Sequence, residues 1–166
     1  MFLGVGVAVG IVSLGASASL GCPGSTVQIR GVVAAVGQLN GTFGPGDKFW
    51  SRGTSSLFNC GDYYFEDYLI IVPAGKTTGI DMFGKPTRGA GWLDDPYLYL
   101  YDFTTRTYID RDDDSGVGVN SYLVIDNRGS SSAKRFILRV TSYDDLEEDG
   151  EGSGRWQVVI TTPARD

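Results

Sequence analysis

The chemistry this sequence can offer is concentrated in its aspartates. Asp110, Asp112, Asp113 and Asp114 crowd one short stretch, and a second pair, Asp94 and Asp95, precedes a tyrosine-rich run. Calcium takes about six to eight oxygens from carboxylates, carbonyls and water, and aspartate-rich turns supply them at one point. If the turn before Tyr97 and the turn after Asp110 lie at one end of a β-sandwich, the six carboxylates face a common calcium ion. The spacing is not that of an EF-hand loop, and Arg111 interrupts the run and neutralises part of it. The competing reading is a solvated acidic turn whose aspartates hydrogen-bond their own backbone.

Other chemistries are limited by composition. The chain has no histidine, which removes Ser-His-Asp and Cys-His catalysis and histidine-ligated zinc or iron. A carboxylate-pair glycosidase stays formally open, and Asp144, Asp145, Glu147, Glu148, Asp149 and Glu151 supply acids for one. Nothing in the sequence pairs them across a cleft, so a solvated loop is the expected state of that segment. The net charge of −6 opposes binding to nucleic acid, whose affinity for proteins comes largely from lysine and arginine on phosphate. The same charge attracts divalent cations. The expectation is a protein that binds and packs and is not an enzyme.

Two cysteines, Cys22 and Cys60, lack the C-x-x-C spacing of a zinc site. One disulfide between them is expected, against the alternative of two buried thiols, and it would place the chain outside the cytoplasm. Asn40-Gly41-Thr42 is an N-x-[ST] sequon in a polar, glycine-containing stretch that reads as a turn, so Asn40 is a candidate for covalent glycan attachment. Trp50, Trp92 and Trp156, with the many tyrosines, suit either a sugar- or collagen-binding surface or, more commonly at strand positions, the core and cross-strand pairs.

The elements that must position these groups begin with an uncharged segment, since the first charged residue is Arg30. Residues 1–21 admit three readings. A signal peptide fits the apolar stretch and Ala16-Ser17-Ala18, but the positive leader is missing. A transmembrane anchor is barely long enough and rich in glycine, and membrane contact follows only from that reading. A β-strand fits the alternation best: Leu3, Val5, Val7, Val9 and Ile11 fall on one face, with Gly4, Gly6, Ala8 and Gly10 on the other. A strand this apolar aggregates if left unpaired, so it folds back into its own sheet or enters a neighbour's groove. Donation to another copy joins unlike surfaces and generates a head-to-tail homopolymer.

Beyond residue 21 the chain reads as one all-β domain, residues 22–166. Strands are expected at Val27–Val36, Tyr63–Val72, Thr77–Phe83, Tyr97–Phe103, Thr107–Asp110, Ser121–Ile125, Phe136–Ser142 and Trp156–Thr162. Turns such as Gly44-Pro45-Gly46-Asp47, Pro73-Ala74-Gly75 and Asn127-Arg128-Gly129 separate them. No stretch of ten residues carries a helical period. The spacing predicts an antiparallel β-sandwich, jelly-roll-like, with an extended N-terminal strand.

Several of these runs, taken in order, carry a resemblance. Asp62-Tyr63-Tyr64-Phe65 leading to Val72-Pro73-Ala74-Gly75, then Asp95-Pro96-Tyr97-Leu98-Tyr99-Leu100-Tyr101-Asp102, is similar to the bacterial pre-peptidase C-terminal domain family. So are the acidic turn Asp112-Asp113-Asp114-Ser115-Gly116, the strand Phe136–Val140 and the closing run Gly154–Ile160. The match spans about residues 60–162. It implies a jelly-roll-like sandwich in an exported, non-catalytic domain, usually appended to a secreted hydrolase. This chain has no enzyme domain and some 60 extra N-terminal residues. Together these readings point to an extracellular filament or tube subunit joined to its neighbour by the N-terminal strand. The alternative is a secreted or surface-anchored adhesion or carbohydrate-binding module.

Overall fold

The computed structural model describes residues 27, 29–34, 36–44, 49–51, 62–118, 120–143 and 152–164. The expected connector strand, both cysteines and the acidic segment 144–151 lie outside these residues. Among the described residues, alternating and β-branched runs form ten strands: β1 (Ile29–Ala34), β2 (Gly37–Phe43), β3 (Phe49–Ser51), β4 (Asp62–Val72), β5 (Thr77–Phe83), β6 (Pro96–Asp102), β7 (Tyr108–Asp112), β8 (Ser121–Asp126), β9 (Lys134–Ser142) and β10 (Gly154–Thr161). A single helical turn, α1 (Lys85–Arg88), follows β5 with proline in its first turn, where a missing N–H costs nothing.

The strands make two sheets packed face to face. One runs β1-β4-β9-β6-β7, with β3 also on β4, and the other runs β2-β10-β5-β8. Pairing is antiparallel except between β1 and β4, which are parallel. The expected single strand Val27–Val36 is therefore two elements. Val36, 70% exposed, marks a corner where the chain leaves the larger sheet and enters the smaller one as β2. Asn40 accordingly sits in a strand and not in a turn.

Between the sheets lies the main core, with Ile70, Val72, Ile80, Met82, Leu98, Leu138, Val140, Trp156 and Val158 all wholly buried. Each such side chain contributes roughly 1.5–3 kcal/mol relative to exposure. Trp156 packs on Phe43 and Tyr68, with ring centroids 5.7 and 6.0 Å away. It also fills the place a side chain at Gly41 would need, since a Cβ there would lie 2.8 Å from Nε1. That close approach is what requires glycine in β2.

The opposite face of the larger sheet is buried as well. Phe65, Tyr97, Tyr99, Tyr101 and Ile137 form a second cluster, joined by Val27. Within this layer, Arg139 on β9 stands directly across from Asp67 on β4. Its Nε and Nη2 donate to the two carboxylate oxygens at 2.8 and 2.9 Å, and its guanidinium carbon lies 4.0 Å from the Phe65 ring centre. Both side chains are fully buried. At the sheet edge, Glu66 accepts from the Tyr68 hydroxyl and from Arg30, tying β1 to β4.

Replacing Asp67 by alanine leaves the buried guanidinium without its counter-charge. Asp67→Ala is expected to lower unfolding stability by about 3–5 kcal/mol, read as a lower urea midpoint. The double change Asp67→Leu with Arg139→Met is expected to recover most of that loss.

Candidate metal centre

Sheet register brings two acidic turns together. β6 begins at Pro96 opposite Ser142, so Asp95 lies beside the end of β9. The Asp95 carbonyl accepts the Tyr143 N–H at 2.9 Å and the Ser142 hydroxyl at 3.0 Å. β7 pairs with β6 from Tyr108 to Asp112, which delivers residues 113 and 114 to the same end. Asp95, Asp113 and Asp114 each place a carboxylate oxygen within 4.8 Å of the others. An open pocket of about 540 Å³ adjoins them, lined by Tyr97, Arg111, Asp112, Asp113, Asp114, Ser115 and Tyr143. Tyr97 and Tyr143 stack across it with ring centres 5.6 Å apart.

The electrostatics follow from this crowding. Burial first, and the neighbouring Asp114 carboxylate second, push the Asp113 carboxyl above the ordinary carboxylate range. Asp113 and Asp95 stand within hydrogen-bond reach of each other, a contact two carboxylates make only by sharing a proton or a cation. The Oδ1 of Asp113 is buried with no hydrogen-bond partner. A divalent cation answers all three features: it replaces the proton, takes the orphaned oxygen and screens the repulsion. Hard carboxylate oxygens with open volume for water suit calcium.

The remaining expected ligands do other work. Asp112 is not one of the three, and its carboxylate accepts the backbone N–H groups of Ser115 at 3.1 Å and Tyr122 at 2.6 Å, and the Ser115 hydroxyl. It closes the turn and pins β8 to β7, so the alternative of local backbone bonding holds for this residue. Asp94 pairs with Lys85 at 2.6 Å. Asp110 is exposed and accepts the Arg111 N–H at 2.9 Å. Arg111 hydrogen-bonds Tyr99 and still favours the charged form of Asp113 by proximity. Among the described residues, therefore, three of the six aspartates converge.

Sequence reasoning missed the residue that holds the loop. Asn120 is buried, its side-chain oxygen takes the Gly84 N–H at 2.9 Å, its backbone carbonyl takes the Gly116 N–H at 2.7 Å, and its amide donates to the Val117 carbonyl. An asparagine after a glycine-rich stretch reads only as a turn former; its bonds to Gly116 and Val117 are local, and the anchoring one, to Gly84, is 36 residues away.

No family model matches this chain, and no curated protein does. Among solved structures it is similar to the pre-peptidase C-terminal domain of a collagenase from Bacillus anthracis. That match has a TM-score of 0.50 and 11% identity, over 82% of this chain and 98% of that one. A second is PliG from Aeromonas hydrophila, a periplasmic inhibitor of g-type lysozyme, with a TM-score of 0.43 and 10% identity over 79% and 95%. The first likeness shows the fold, which is that of a pre-peptidase C-terminal β-sandwich, as the ordered strand motifs implied. Among the described residues no helix is long and apolar enough to cross a membrane.

The elevated Asp113 carboxyl binds its proton more tightly when folded than when unfolded. Its contribution to stability is therefore fully present below the ordinary carboxylate range and is lost as pH rises through the elevated folded value. Asp113→Asn is expected to flatten that loss in calcium-free buffer. Solvent screening at this open site limits the gain to about 1 kcal/mol, or about 2–4 °C in Tm at neutral pH. Thermal unfolding of both proteins across pH 4–8 measures it, and parallel curves would mean that Asp113 is not under strain.

Proposed function

We propose that this chain, built on a pre-peptidase C-terminal sandwich, is a non-catalytic structural subunit of an extracellular filament or tube. It polymerises head to tail, the apolar segment 3–14 of one copy adding as a strand to the sheet of the next. The observation that carries this reading is the edge β2. It forms the margin of the four-stranded sheet, pairs with β10 on one side, and has no described strand on the other. Its sequence, Gly37-Gln38-Leu39-Asn40-Gly41-Thr42-Phe43, contains no charge and no proline.

Edges of monomeric sheets are normally protected by lysine, proline or a bulge. The margins of the larger sheet follow that practice, with Asp110 and Arg111 on β7 and with Arg30 and a register break on β1. An unguarded strand of seven residues suits the addition of a peptide strand. Leu3, Val5, Val7, Val9 and Ile11 supply the alternation such a donor needs. In this assembly a Cys22–Cys60 disulfide fastens the connector to the body, and calcium at Asp95, Asp113 and Asp114 stiffens the end of the sandwich. The disulfide belongs to an exported protein.

Negative-stain electron microscopy of the full chain is expected to show filaments, and a chain lacking residues 1–21 is expected to give dispersed particles. Dispersed particles from both would remove the assembly reading. For the metal, calcium at about a hundredfold over its Kd is expected to raise Tm by about 5–10 °C, reversibly on chelation. Asp95→Asn is expected to lose that rise, and an unchanged Tm in the unsubstituted protein would exclude a calcium site.

A further inference from the structure

A second concavity opens on the four-stranded sheet. It has a volume of about 390 Å³ and is lined by Asn40, Gly41, Thr42, Trp92, Arg155 and Trp156. Trp92 forms an isolated bridge with Arg155 at the start of β10, where β5 no longer covers that strand. Two cations flank this indole, the guanidinium carbons of Arg155 and Arg88 lying 5.4 and 5.7 Å from its ring centre. Arg88 also lies 5.1 Å from the Phe83 ring and donates to the Gln157 side-chain oxygen. Gln157 in turn donates its amide to Asn40 Oδ1 at 3.0 Å, and Gln38 does the same at 3.0 Å.

This arrangement is rich in donors and short of acceptors. The Asn40 oxygen is occupied by two amides, so the polar capacity left to this side chain is its Nδ2 donor. Trp156 is wholly buried and its Nε1–H has no hydrogen-bond partner. Arg88 and Arg155 are exposed, and neither forms an ion pair with a carboxylate among the described residues. In a chain of net charge −6, two unpaired guanidinium groups held on one indole are a local exception to the overall field. Stacking orients them before any ligand arrives, which reduces the ordering cost of binding.

We propose that this face binds an acidic saccharide, with the carboxylate of a uronic acid unit taken by Arg155 and Arg88. The planar guanidinium matches a carboxylate with two parallel hydrogen bonds. The amides of Asn40 and Gln157 and the Thr42 hydroxyl stand beside it to meet sugar hydroxyls, the mixture of few fixed polar groups and aromatic walls that small-ligand sites use. A polynucleotide is a poor fit, because two arginines neutralise too few phosphates to overcome the chain's net negative charge. The site borders β2 through Asn40 and Thr42, the strand whose backbone edge the proposed assembly uses, but Arg88 and Arg155 lie outside β2, so substituting them tests this site apart from assembly.

The test is affinity electrophoresis of the unglycosylated full chain, in native gels containing polygalacturonate or neutral dextran, with calcium chelated. The expected result is retardation by polygalacturonate and none by dextran. Arg155→Gln and Arg88→Gln are each expected to weaken apparent affinity by about tenfold or more, with unchanged circular dichroism. An unretarded parent protein overturns the proposal. So do folded arginine variants that run like the parent, or equal retardation by dextran.

Discussion

Arg139 and Asp67 form the contact on which the geometry of the larger sheet rests. A buried ion pair rarely adds much net stability over an apolar pair of similar volume. What it does here is fix register. Side chains alternate faces along a strand, so a slip of one residue would carry the guanidinium from its aromatic layer into the aliphatic core. Asp67, Arg139 and Tyr99 face one another across three adjacent strands, β4, β9 and β6. With that register set, Pro96 meets Ser142, and Asp95 comes to rest against Tyr143. The acidic centre is thus placed by a contact in the middle of the sheet.

The ends of the strands are fixed by buried side-chain amides. Asn127 donates to the Pro73 and Ser132 carbonyls at 2.9 and 3.0 Å, joining the turn after β4 to the loop before β9. In that first turn Gly75 adopts φ of +69°, a conformation glycine reaches without strain. Asn120 performs the corresponding task near the carboxylates. Loops anchored in this way hold three carboxyl groups close together, which a freely moving turn would relax by separating them.

Much of the framework was legible from the sequence. The runs at 63–72, 77–83 and 97–103 alternate or are continuously apolar, and they form strands with nearly the bounds expected. The convergence of Asp95 with Asp113 followed from reading both turns at one end of a sandwich. β2 was hidden because Gly37-Gln38-Leu39-Asn40-Gly41-Thr42-Phe43 has one strong apolar position before its end. Its glycine at 41 serves Trp156, far along the chain, and not a local turn. The fate of Asp112 was equally invisible. Whether an aspartate in an acidic run faces a cation or its own backbone depends on turn geometry that residue types alone do not specify. The arginine-flanked indole brings α1, the segment before β6 and β10 together, and no sequence period links them.

The parallel pairing of β1 with β4 has a mechanical side. β1 is the first strand described and lies at the margin of its sheet. Tension applied at that point along the strand axis bears on the whole row of β1–β4 hydrogen bonds at once, as shear. The same bonds pulled sideways would open one after another. Backing from Arg30 to Glu66 adds a charged contact to that row. A load applied at Ile29 along β1 would therefore be resisted at the seam where it enters.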